Sequence, residues 1–146
     1  MEKPYNQNFE NHGRVITAYH RVAFPIFALN LLWSLYRAVR SFSVESVLSL
    51  LLAAAFLILF FYARIFALTV QDRVIRLEMT LRLAQLLRPD LRPRVGEFTL
   101  DQLIALRFAS DEELPELARR VLAEKLIDRK TIKKMIRAWK PDFLRV

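Results

Sequence analysis

The sequence predicts an all-α membrane protein: a two-helix transmembrane hairpin whose second span continues into a small helical cytoplasmic domain. Three observations predict it. Of 146 residues, 54% are apolar although 26% are charged, and a soluble domain of this size cannot bury such an apolar excess. The excess is concentrated in two uncharged runs in the first half of the chain. The remainder, from Thr69 onward, is charged and repeats its apolar residues at helical spacing, with no strand pattern.

The segment before the first run, residues 1–21, mixes Glu2 and Glu10 with Lys3, Arg14 and Arg21. It reads as a cytoplasmic or interfacial lead-in rather than the basic start of a signal peptide, and no small-residue cleavage site follows. Val22 to Tyr36 reads VAFPIFALNLLWSLY. It reaches about residue 39 if Arg37 snorkels outward. Pro25 is tolerated in the first turn of a helix, so the first span is expected to begin near Val22, with Phe9 to Tyr19 as a separate interfacial piece. Val47 to Ala63 reads VLSLLLAAAFLILFFYA and resumes after Arg64. Spans of about 22–39 and 46–66 approach the ~20 apolar residues that a bilayer requires. They define a hairpin over residues 22–68.

The short linker around Arg37, Arg40 and Ser43 forces antiparallel spans, so both flanks of the hairpin share one side. Two basic residues lie in the linker, against seven on the other side (Lys3, Arg14, Arg21, Arg64, Arg73, Arg76 and Arg82). The positive-inside rule then puts both termini in the cytoplasm. Within the spans, Asn30 is positioned to bond across to Ser46 or Ser49. Ser49 and Ala53 form a small-xxx-small pair for close helix approach. Asn30 could equally reach a neighbouring subunit, but self-packing of the hairpin is favoured over an oligomer contact for both features.

Residues 69–146 carry 17 Lys and Arg against 12 Asp and Glu, +5 of the chain's +8. Val70, Val74, Leu77, Leu81 and Ala84 form an apolar helical stripe expected to continue the second span, ended by Pro89 and Pro93. Thr99 with Gln102, and Ser110 with Glu113, have capping-box spacing. They predict one helix to about Phe108 and a second whose apolar face is Leu114, Leu117, Val121, Leu122 and Leu126. Asp128 is placed to cap a last helix with Ile132, Met135, Ile136 and Trp139 on one face, stopped by Pro141. The tail Phe143-Leu144 is placed to dock back on this bundle.

Four stretches carry a family resemblance: Asn8-Phe9-Glu10-Asn11-His12; Tyr19-His20 through Pro25; Gln71-Asp72-Arg73-Val74-Ile75-Arg76-Leu77-Glu78; and Leu106-Arg107-Phe108-Ala109-Ser110-Asp111-Glu112-Glu113-Leu114. With the basic Trp139 region, the chain resembles an uncharacterised family of small bacterial two-span membrane proteins. The resemblance implies a multi-pass protein of the bacterial inner membrane. It supplies no activity and no catalytic residue.

The chemistry open to the chain is narrow. With no cysteine and two glycines, thiolate metal sites, cysteine nucleophiles and glycine-rich phosphate loops are excluded. No Ser–His–Asp, HExxH or P-loop pattern occurs, so no enzyme activity, catalytic residue, metal or cofactor is expected. His12 and His20 are the two histidines; His20 at the edge of a span is the one candidate tetrapyrrole ligand, against a plain hydrogen-bonding role. Asp72 and Arg76 suit an i, i+4 ion pair. Arg64, Arg73 and Arg76 sit where anionic head groups would be. Arg129, Lys130, Lys133, Lys134, Arg137 and Lys140 would cover the polar face of the last helix.

The leading expectation is a non-catalytic, membrane-anchored interaction or accessory subunit. Its partners would be membrane lipids and a protein or a second copy of the chain. The alternatives are a tethered module binding nucleic acid or anionic lipid through a basic helix over 129–140, and a cofactor-binding membrane subunit using His20. Nucleic acid is disfavoured, because base-reading Asn or Gln is missing from the last helix.

Overall fold

The computed structural model describes residues 8–10, 13 and 16–142. Lys3, His12, Arg14 and the tail Phe143-Leu144 lie outside the described residues. The described chain is helical. It divides into two units, residues 14–68 and a second made of 69–146 with the described residues among 8–13.

The first unit is a helical hairpin. A π-helical stretch, Ala18–Ala23, runs directly into α1, Phe24–Arg40. The helix therefore starts upstream of Val22, and Tyr19 belongs to it rather than to a separate interfacial piece. Pro25 explains the π geometry. A proline inside a regular α-helix clashes with the carbonyl four residues back. The widened turn just before it, closed by the Phe24 N–H donating to the Tyr19 carbonyl, is one way a continuous helix accommodates that ring.

Three residues, Ser41 to Ser43, turn the chain into α2, Val44–Leu86. Ser43 and Ser46 cap it reciprocally. The Ser46 N–H donates to Ser43 Oγ at 3.1 Å, and the Ser43 N–H donates to Ser46 Oγ at 3.0 Å. The Ser46 hydroxyl donates back to the Ser43 carbonyl at 2.8 Å. Ser46 thus serves the helix start and not Asn30, which is exposed. Ala53 is buried, at 2% exposure, and Ser49 is half-buried. The hairpin closes on aromatic rings: Tyr19 stacks on Phe60 at 4.0 Å, and Phe27 packs against Phe56 at 5.8 Å and Phe60 at 5.9 Å. The Tyr19 hydroxyl donates to the Phe60 carbonyl. The outer surfaces of both helices are apolar and exposed, including Leu29, Leu32, Leu51, Ile58 and Leu59.

The second unit is built on the last part of α2. Four residues one turn apart, Ile75, Met79, Leu83 and Leu87, enter its core at 4% exposure or less. A second apolar stripe of the same helix, Val70, Val74, Leu77, Leu81 and Ala84, lies on the surface. Both stripes repeat at helical spacing. The small helices cover the one that offers Met79 and two fully buried leucines. The end of α2 is sealed by Arg92, whose Nε donates to the Leu87 carbonyl at 2.9 Å, satisfying an orphan acceptor of the last turn.

A 3₁₀ segment, Arg92–Glu97, leads to α3, Leu100–Leu106. The Thr99–Gln102 capping box forms in full: Gln102 N–H to Thr99 Oγ1 at 3.3 Å and Thr99 N–H to Gln102 Oε1 at 2.8 Å. The buried Gln102 amide also donates to the Leu126 carbonyl at 2.8 Å. The helix stops before Phe108, with Arg107 as its cap. Helix α4, Leu114–Ala123, buries Leu114, Leu117, Ala118 and Val121, with Leu122 and Leu126 partly buried beside them. It ends with Lys125 in the left-handed region at φ 50° and the Leu126 N–H donating to the Val121 carbonyl. That is the hydrogen bond of a Schellman C-cap. Helix α5, Arg129–Lys134, is capped by Asp128, which accepts from the Thr131 N–H at 2.7 Å. The Thr131 hydroxyl and the Thr131 and Lys130 amides hold the Asp128 carboxyl below the usual carboxylate range.

The last helix is therefore much shorter than its apolar periodicity predicts. After Met135 the chain extends and pairs antiparallel with the segment after α3. The Ser110 N–H donates to the Ala138 carbonyl at 2.9 Å, and the Lys140 N–H to the Phe108 carbonyl at 2.7 Å. Trp139 packs on Phe108 at 5.1 Å between ring centroids. It does so from this extended bridge rather than from a helix face.

Candidate functional site

The densest polar construction lies where residues 107–113 and 137–142 meet α2. Arg82 organises it. Its Nε donates to Asp111 Oδ1 at 2.7 Å, its Nη1 to the Arg107 carbonyl at 3.1 Å and its Nη2 to the Ala109 carbonyl at 2.6 Å. A planar fork can serve three acceptors at once in a way an ammonium cannot. Asp111 also meets Lys140 Nζ at 3.3 Å. The pKa of its carboxyl is lowered from the ordinary value chiefly by the Arg82 hydrogen bond; burial opposes this, and the Arg82 charge and the Lys140 hydrogen bond and charge add smaller lowering effects.

The Ser110–Glu113 spacing predicts a capping box. Only half of that box forms: the Glu113 N–H donates to Ser110 Oγ at 3.3 Å. The Glu113 carboxylate turns the other way and accepts from the Arg137 N–H at 3.0 Å and the Ala138 N–H at 2.8 Å. Helix α4 consequently starts at Leu114. Beneath this clamp lies Phe108, fully buried, with the Arg107 guanidinium 4.6 Å and the Lys133 ammonium 5.0 Å from its ring centre. Arg107 pairs with Asp142 at 3.1 Å. The Arg82, Asp111–Lys140, Glu113 carboxylate, Lys133–Phe108 and Arg107–Asp142 contacts each join distant pieces of the chain, so the assembly is a structural clamp.

The chain belongs to the family of unknown function DUF6526, whose model matches residues 1–146. No curated protein and no solved structure matches the chain.

The basic residues expected to share one helix face are dispersed in this member of the family. Arg129 pairs with Asp101, donating at 2.8 Å through Nε. Lys133 is half-buried over Phe108, and Lys134 lies 5.6 Å from the Phe9 ring centre. Arg137 lies beyond α5 with its backbone held by Glu113. A continuous basic helix over 129–140 is thus replaced by a short helix and an extended segment, with Arg129, Lys133, Lys134 and Lys140 each against a different group. Lys130, Lys134 and Arg137 keep exposed surfaces.

On α2, Arg64 is half-buried, while Arg73 and Arg76 are exposed and line a groove of about 620 Å³ with Asp72, Leu77 and Leu100. Among the described residues no ion pair joins Asp72 to Arg76. The i, i+4 spacing makes that pair available, but a pair with one exposed member gains little against water.

His20 lies in the π-helical stretch. Its Nδ1 sits 3.2 Å from the Ile16 nitrogen and 3.1 Å from the Ile16 carbonyl oxygen, and its ring meets Tyr19 edge-on at 5.1 Å. An axial bond to a cofactor would have to use Nε2. In the hairpin, Asn30, Ser34, Ser46, Ser49 and Ala53 line one shallow groove. Asn30, Ser49 and Ala53 thus line the same groove, and among the described residues no hydrogen bond runs from Asn30 to Ser46 or Ser49. Sequence reasoning missed Arg82 as the organiser of the clamp. It appeared only as one of several arginines flanking a stripe, and nothing local marks which arginine meets a distant loop.

Proposed function

We propose that the chain is a non-catalytic, membrane-anchored interaction or accessory subunit of the bacterial inner membrane. Its hairpin crosses the bilayer twice, both flanks of the hairpin face the cytoplasm, and residues 69–142 form a cytoplasmic docking domain. The observation that carries this reading is the combination of apolarity and exposure in α1 and α2. A core helix of a soluble protein would hide its apolar residues, whereas these two helices present theirs outward over two lengths each able to cross a membrane. At about 1.5 Å per residue, about 20 residues cross the hydrocarbon thickness of about 30 Å, a length that the apolar part of α2 supplies. Arg73 and Arg76, exposed just past the apolar run, suit contact with anionic head groups. Binding of nucleic acid through residues 129–140 loses its continuous basic face.

Topology and role have separate tests. The chain has no cysteine, so Ser41→Cys and Lys125→Cys report on opposite sides. A membrane-impermeant maleimide added to spheroplasts is expected to label Ser41→Cys at once, and Lys125→Cys only after permeabilisation. The reverse pattern would overturn the orientation, and immediate labelling of both would overturn the hairpin. Purification of the full chain in mild detergent is expected to bring a membrane complex with it, at fixed stoichiometry. A chain that purifies alone from native-level expression sinks the accessory role.

A further inference from the structure

The exposed stripe of α2 has the pattern of a two-stranded seam. Val70, Val74, Leu77, Leu81 and Ala84 alternate spacings of four and three, which makes Val74 and Leu81 a positions and Val70, Leu77 and Ala84 d positions of a heptad. A single amphipathic helix packing on its own domain needs no such register, and this domain packs on a different stripe. Ile75, Met79 and Leu83 occupy b, f and c positions, away from the seam. Val70 remains 61% exposed, Leu77 62% and Leu81 57%.

We propose that this face docks on the same face of a second copy, as a parallel two-stranded coiled coil over residues 70–84. Charge complementarity selects a second copy. In a parallel pair, a g residue of one helix faces the e residue five places on in the other. Arg73 is at g and Glu78 at e, so two symmetric ion pairs form across the seam. Within the chain both residues are exposed, and among the described residues neither has an ion pair. The other facing pair, Thr80 with Gln85, is neutral, so no like charges oppose. Val at a followed by Leu at d, as in Val74 and Leu77, favours two strands. The domains ride on the outer side of the pair because the core stripe lies away from the seam.

The inference rests on α2 crossing the bilayer, as proposed above. A common insertion makes the two helices parallel and nearly in register. It also confines the copies to one plane, which raises their effective concentration and lets a seam of two heptads suffice.

Disulfide cross-linking of the full chain in native membranes tests the seam. With copper–phenanthroline as oxidant, Val74→Cys, Leu77→Cys and Leu81→Cys are expected to give a covalent dimer several-fold faster than Asp72→Cys and Arg76→Cys at f and c. In the Leu77→Cys background, Arg73→Glu is expected to reduce the dimer several-fold, and the exchange Arg73→Glu with Glu78→Arg to restore it. Cross-linking independent of position, or no rescue by the exchange, overturns the proposal. A monomeric chain that still holds another protein at fixed stoichiometry also overturns it, while leaving the accessory role standing. A dimer that holds no other protein does the reverse.

Discussion

Leu83→Asp is expected to unfold the helical unit, while Leu81→Asp, two positions away on the same helix, leaves it folded. Leu83 is fully buried among the core residues from α3, α4 and α5, whereas Leu81 is 57% exposed. A carboxylate placed at Leu83 would be buried without a partner. That change belongs to the class of substitutions costing more than about 4 kcal/mol, against a total stability of about 5–15 kcal/mol for a domain. The milder Leu83→Ala should cost about 2–5 kcal/mol, and Leu81→Ala within about 0.5 kcal/mol. Limited proteolysis of the full chain in detergent reads this directly. Leu83→Asp should become sensitive throughout residues 90–142, and Leu81→Asp should keep the wild-type pattern. Equal sensitivity of the two would mean that the buried stripe has been misplaced. The same Leu81→Asp chain should lose the α2 seam, so one substitution separates folding from association.

Arg82→Leu is the second large expected effect. It removes the three hydrogen bonds that tie α2 to residues 107–111 and leaves two backbone carbonyls and the Asp111 carboxylate without that partner. Hydrogen bonds to charged groups contribute about 1.5–3 kcal/mol each at most. The bonds share one side chain that is 17% exposed, so a loss of about 3 kcal/mol is expected. Arg82→Lys should recover only part of it, because one ammonium cannot span the three acceptors. Trp139 is the reporter. In a Trp33→Phe background its emission should shift to the red, and chemical denaturation should begin at lower denaturant. Unchanged emission and midpoint would refute the clamp.

The acid response has a definite sign. A carboxylate whose pKa is lowered on folding contributes stability above its ordinary value of about 3.9 and ceases to do so as pH falls through the lower folded value. Asp111 is lowered, mainly by Arg82. The difference between wild type and Arg82→Leu should therefore narrow below pH 4.

Much of this architecture is legible in the sequence because it is local. The two apolar runs stand out by composition alone. The Thr99–Gln102 box and the Asp128 cap form as read, since each needs only four consecutive residues and a backbone N–H. The face of α4 follows from spacing within one helix. Other features are decided between distant segments. Glu113 has the spacing of a cap, yet it meets the amides of Arg137 and Ala138, and no local rule anticipates a partner 24 residues away. Trp139 continues a helical period, yet backbone pairing with residues 108–110 draws that segment out of the helix. The basic face over 129–140 dissolves for the same reason, since Asp101 and Phe108 each claim one cation.

By itself, the sequence determined that the chain is helical, where its apolar lengths lie, and where several of its helices begin. Those properties depend on composition and on contacts within a turn. Only the tertiary structure decided which of two equally periodic stripes on α2 enters the core. A helix period says that a face is apolar, not what covers it. Here the shapes of α3, α4 and α5 chose Ile75, Met79, Leu83 and Leu87, and left Val70, Val74, Leu77 and Leu81 facing outward.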